Sequence, residues 1–175
     1  FLSNLHSAND TYAGGNNDVD SPLKSFSAAF GFPKTVKPGE SIPVTGYAQA
    51  GISSVSKVQV FVHNDKDQLP TGDKYFTQAP WVDTTILPPP VEWGGDLPDN
   101  QIPPGTMGFD SAGQPKTWPL RLSKVHWATL LPGLPEGRYI LRSRTIDLKG
   151  HAQPMPRPFR KSGHAKIETI RFEVS

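Results

Sequence analysis

Arg157-Pro158-Phe159-Arg160-Lys161-Ser162-Gly163-His164 gathers two guanidiniums, an ammonium and an imidazole on a stretch that a glycine leaves free to bend. A guanidinium presents a planar fork of donors that matches a small oxyanion, so Arg160 and Arg157 are the side chains with a chemical task within reach. Composition alone reads the same run as a solvated basic turn.

Other chemistries find less support. His6, His63, His126, His151 and His164 are scattered, and none pairs with a second ligand at the spacing a zinc site uses, so no metal ligands are assigned. Asn64-Asp65-Lys66-Asp67 has acids at alternate positions but lacks the glycine and closing glutamate of a calcium loop, and reads better as a turn after a strand. No glycine-rich phosphate loop occurs. Ser143 and Ser162 lack the strand-to-helix elbow of a hydrolase nucleophile, and Glu136 and Asp147 sit in turns where acids are common. No catalytic residue is therefore assigned. With no cysteine in the chain, disulfides and thiolate metal sites are excluded.

Trp81, Trp93, Trp118 and Trp127 admit two readings. Exposed rings on a β-sandwich stack on saccharides, which makes an extracellular carbohydrate- or protein-binding module the alternative function. Packing against the sandwich is the commoner fate, since each ring buries about 200 Å².

The elements that must position these groups are strands. Leu134 to Gly150 runs through a turn, a tyrosine, an alternating strand and a second turn, the order found late in an immunoglobulin-like sandwich, with Tyr139 at the place of its corner tyrosine. Tyr139, Leu141, Ser143 and Thr145 point one way, and Ile140, Arg142, Arg144 and Ile146 the other. The two arginines are expected on a solvated outer face. Val55 to Asn64 alternates Val58, Val60 and Val62 against Lys57, Gln59, Phe61 and His63, and supplies a candidate surface for subunit pairing. A strand is also expected within residues 25–30, and another from Ser41 to Ala48, where Pro43 places it at an edge or confines the proline to its first residues. Leu120 to Leu131 has Leu120, Leu122, Val125 and Trp127 as inward groups and a bulge at Ser123-Lys124. Ile167 to Val174 closes the set, with Ile170, Phe172 and Val174 inward.

Between Asp65 and Pro119 the pattern dissolves into proline and glycine runs. Loops longer than about 15 residues are usually functional or linkers, and Phe76, Trp81, Ile86, Leu87, Trp93, Met107 and Phe109 suggest an ordered, irregular segment laid on the sandwich. Residues 1–22 read as an arm or linker, and 23–175 as one all-β, immunoglobulin-like antiparallel β-sandwich with a Pro/Gly-rich insertion at 65–119. Nineteen prolines and sixteen glycines suit short elements joined by turns.

Lysine and arginine exceed aspartate and glutamate by only two, so nucleic acid is not an expected partner. No apolar run approaches the roughly 18 residues that span a bilayer, and no membrane partner is expected. The chain begins at Phe1, which suggests a piece of a longer protein. The compartment is left open, a periplasmic or secreted one being favoured.

Gly46-Tyr47-Ala48-Gln49-Ala50-Gly51, the alternating Val55 to Val62, Trp118 to Trp127, Gly137 to Asp147 and Ala152-Gln153-Pro154 follow one another in an order that resembles the C-terminal dimerisation domain of sulfite oxidase-type molybdenum oxidoreductases. The resemblance covers Ser41 to Ser175. It implies an accessory domain that pairs subunits into a homodimer and is not catalytic in isolation. It also implies a preceding domain that holds the molybdopterin-molybdenum cofactor through a cysteine sulfur, with no cofactor in this chain. Members of that family extend an arginine from the last loop toward the substrate pocket, and counting back from the final strand places Arg160 there, with Arg157 as the alternative. The family's arginine-glycine pair and its tryptophan before the last strand are replaced here by Arg160-Lys161 and Ile167. The substrate does not carry over.

Overall fold

Ile42, Val44 and Ala48 are buried at every second position of one strand, and Val58 and Val60 do the same on another, so each ribbon has an apolar face that must meet a partner. The computed structural model describes residues 26–50, 53–73, 75–93, 95–153 and 167–175. They form an all-β sandwich with strands β1 (Phe26–Gly31), β2 (Ile42–Gln49), β3 (Val55–Asn64), β4 (Val82–Asp83), β5 (Thr85–Ile86), β6 (Val125–Leu131), β7 (Gly137–Asp147) and β8 (Glu168–Val174). One sheet has the order β1-β2-β6-β5 and the other β4-β3-β7-β8, and neighbouring strands are antiparallel throughout. The arm expected at 1–22 and residues 154–166, with the basic run, lie outside the described residues.

The interior is filled from both sheets. Trp127 is fully buried with Val44, Val125, Val58, Val60, Leu141 and Val174. Burial of each aliphatic side chain stabilises by about 1.5–3 kcal/mol, which is what holds two such ribbons together. At the turn into β7 the Tyr139 hydroxyl donates to the Pro135 carbonyl at 3.1 Å, as the corner position requires. Beside it Gly133 touches Gly39 so closely that a Cβ would come within 2.2 Å of the Gly39 carbonyl oxygen. Only glycine fits there, and the approach lets Gly39 N donate to Leu134 O at 2.9 Å.

Pro43 takes the second of the two placements expected of it: β2 lies between β1 and β6, and pairing with β1 ends at Thr45, so the proline occupies the strand's opening residues where that neighbour is absent. Other expectations are corrected. Leu122 is exposed at φ +63, and residues 120–123 form a turn closed by Ser123 onto the Leu120 carbonyl instead of a bulge. Within 65–119, which shows no periodicity, two short strands form. Thr84 N and Oγ1 both donate to Val58 O, and around that pivot the chain leaves β3's sheet and joins β6's, with Ile86 opposite Trp127. Met107, expected to pack on the sandwich, is 89% exposed.

Candidate functional site

β7 is the strand that precedes the basic run in the chain, and its end is fixed by polar groups. Asp147 is fully buried by strand alternation, and its carboxylate needs partners there. Oδ1 accepts from the amides of Lys149 and His151, at 2.9 and 2.8 Å, and Oδ2 from Ser53 Oγ at 2.8 Å and the His151 Nδ1 side at 3.1 Å. Burial pushes the Asp147 pKa up, but the hydrogen bonds from Ser53 and His151 outweigh it and the net direction is down. Six residues beyond, Gln153 is also buried and its Oε1 accepts from Thr145 N at 2.9 Å. Asp147 and Gln153 are thus structural, and the last described residue before the loop is held against the strand it came from.

The described chain resumes at Ile167, and Glu168 opens β8. Its position is the same parity as Ile170, Phe172 and Val174, so its side chain turns inward, where Oε2 accepts from Ser143 Oγ at 3.1 Å and from the Ala29 amide. Burial raises the Glu168 pKa, with both hydrogen bonds opposing. Sequence reading did not single Glu168 out, although the alternation of β8 carries the signal.

Arg157 and Arg160, the sequence-derived substrate-binding candidates, lie outside the described residues. What the structure describes is the frame, Gln153 on one side and Glu168 on the other, with β7 and β8 paired from Gly137↔Val174 to Ser143↔Glu168.

The outer face of β3 and β7 departs from expectation. Arg142 and Arg144 do not project into solvent: their guanidinium carbons lie 4.2 Å over the rings of Phe76 and Trp81. Register explains the placement. Phe61 pairs with Arg142 and Gln59 with Arg144 across β3 and β7, so the insertion's two aromatics fall onto a surface of alternating ring and guanidinium. Phe61 itself is buried, 4.7 Å from Trp81 edge-on and 5.8 Å from Phe76. Arg144 donates through Nε and Nη2 to Gln59 Oε1, Gln59 Nε2 donates to Asp83 Oδ1 at 2.6 Å, and Lys57 reaches Asp83 at 3.0 Å. Burial draws both arginine pKa values down. The Val55–Asn64 face is therefore covered by the insertion, and does not supply the open pairing surface expected of it.

The tryptophans divide accordingly. Trp127 is core, Trp81 covers Phe61 and donates to the Phe76 carbonyl, and Trp118 donates to the Leu87 carbonyl at 2.9 Å. Trp93 meets Phe109 and Trp118 edge-on. Asn64–Asp67 is a turn, with Asp67 and Asn64 carboxyl and amide oxygens capping backbone amides. Among the described residues no group of three or more His, Asp or Glu side chains could hold a metal ion, and no helix is long and apolar enough to cross a membrane. No protein-family model matches the chain, and no curated protein matches it.

Proposed function

We propose that this chain is the C-terminal accessory and dimerisation domain of a sulfite oxidase-like molybdenum oxidoreductase, which lends an arginine, Arg160 or else Arg157, to the substrate pocket of a preceding domain. The observation that carries the reading is the framing of residues 154–166. The basic run lies in sequence between a buried glutamine and an inward glutamate, and both of these flanking residues are tied to the β7–β8 strand pair. Fixed flanking residues suit a side chain that must be delivered to another domain's pocket, because less conformational freedom is lost on binding. The strand orders β1-β2-β6-β5 and β4-β3-β7-β8 and the corner hydrogen bond of Tyr139 support the immunoglobulin-like form that the reading calls for.

This chain has no cysteine, so on this reading the sulfur ligand of molybdenum comes from the preceding domain, and the chain's own contribution is binding and pairing. The metal there would accept the electrons of substrate oxidation. With the β3 face covered, a second copy would meet the outer strands of the two sheets, of which β1 is partly closed by Glu168 and β8 by Val36.

The test is expression of the whole reading frame that contains this chain. Stoichiometric molybdenum by elemental analysis, dimeric mass by sedimentation and reduction of an electron acceptor dependent on an oxyanion substrate are expected. A metal-free protein with no cysteine-bearing domain before Phe1 overturns the reading.

A further inference from the structure

The insertion between β5 and β6 folds around a cleft of about 790 Å³ that the arginine-aromatic face does not use. We propose that this cleft binds a neutral, polyhydroxylated small molecule the size of one or two sugar rings.

The walls are built before any ligand arrives. Trp93 and Phe109 meet edge-on at 5.1 Å, and Trp93 is backed at 5.8 Å by Trp118, whose indole is tied to the Leu87 carbonyl. Opposite, Asp110 Oδ1 accepts from the amides of Ala112 and Gln114, and Gln114 Nε2 donates to Val91 O at 3.1 Å, which staples the two sides of the cleft together. Asp99 and Asn100 both lie at positive φ, +59 and +52, in the 3-10 turn Pro98–Asn100 that brings Asn100 and Gln101 to the rim. Asp and Asn tolerate that conformation better than other residues with side chains.

The polar side chains left over define the ligand. Glu92, Asn100, Gln101 and Lys116 line the cleft and make no side-chain hydrogen bond or ion pair among the described residues. Amides donate and accept, the carboxylate accepts, and the ammonium donates. A hydroxyl also does both, so a ring bearing several of them satisfies the set, while Trp93 and Phe109 offer apolar surface to its C–H bonds. An oxyanion is disfavoured, because Glu92 and Asp110 place two carboxylates against the single Lys116. The volume falls in the range of small-molecule sites, about 300–1,000 Å³.

Titration of the isotope-labelled chain with glucose, galactose, mannose, cellobiose and maltose, each to about 10 mM, nearly saturates a site whose Kd is near 1 mM. At least one sugar is expected to shift the Trp93 indole N–H and the amides of Asn100 and Gln101 saturably, leaving the Trp127 indole in place. The pair Glu92→Ala and Gln101→Ala, both at exposed positions that leave the aromatic wall intact, is expected to weaken binding at least about tenfold without lowering the melting temperature. No shift with any sugar, shifts confined to other surfaces, unchanged affinity in the double variant, or a stronger response to sulfate than to every sugar overturns the proposal.

Discussion

The Arg144 guanidinium lies 4.2 Å above the Trp81 ring while two of its nitrogens share the Gln59 side-chain oxygen, so one arginine joins strand, sheet neighbour and insertion. Its charge is partly removed from water, which explains the lowered pKa. Trp81 is half-buried and also donates to the Phe76 carbonyl at 2.7 Å. Trp81→Ala is expected to cost about 2 kcal/mol in urea unfolding, less than the roughly 3–5 kcal/mol of a fully buried ring. A double-mutant cycle with Arg144→Ala should return a coupling of about 0.5–1 kcal/mol. Additive losses would show that the stacking contributes nothing.

The two inward carboxylates make opposite contributions to the pH dependence of stability. Asp147 has a lowered folded pKa, so its contribution is complete above the unfolded value of about 3.9 and drains as pH falls through the folded value. Glu168 has a raised folded pKa. The folded state then holds its proton more tightly, and stability falls as pH rises from the unfolded value of about 4.3 through the folded one, then levels. Glu168→Gln is expected to match the parent in acid and exceed it at neutral pH. Asp147→Asn is expected to lose about 2 kcal/mol at neutral pH, because an amide nitrogen replaces an oxygen that accepts from Ser53 and His151. Urea midpoints measured from acid to neutral pH separate the two.

Legibility in the sequence followed periodicity. β3, β7 and β8 announce themselves because Val58 and Val60, Leu141 and Thr145, and Ile170 and Phe172 alternate with polar neighbours over many residues. β4 and β5 have two residues each and no period to read; Thr84's bonds to Val58 place them, a contact 26 residues away in the chain. A still longer separation hides the fate of Arg142 and Arg144. Taken along β7 they look like a solvated face, and only the fold brings Phe76 and Trp81 over them. Glu168 was legible by parity but ran against the rule that acids face water, which the Ser143 hydroxyl and Ala29 amide overturn locally.

The corner bond is isolated enough to measure by itself. Tyr139→Phe keeps the ring, which stacks on Phe172 at 5.7 Å, and removes only the hydroxyl's bond to Pro135. A loss of about 1 kcal/mol is expected, with no change in the denaturant slope. A loss near zero would mean water replaces the carbonyl contact without cost.

On the proposed function, the arginine assignment is tested in the whole protein, where residues 154–166 are joined to the proposed preceding domain. A charged hydrogen bond contributes about 1.5–3 kcal/mol, so Arg160→Ala is expected to raise the KM for an anionic substrate by roughly tenfold or more. Arg160→Lys retains the charge but not the planar fork, and is expected to recover only part of the loss. Should Arg160→Ala leave KM unchanged while Arg157→Ala raises it, the contact belongs to Arg157; if neither variant moves it, the basic run is a solvated turn. Both arginines lie in sequence between Gln153 and Glu168, which are held by Thr145 and Ser143. On the proposed function the unfolding midpoints of the two variants are expected to match the parent, and a KM change accompanied by lost stability would point to a structural role instead.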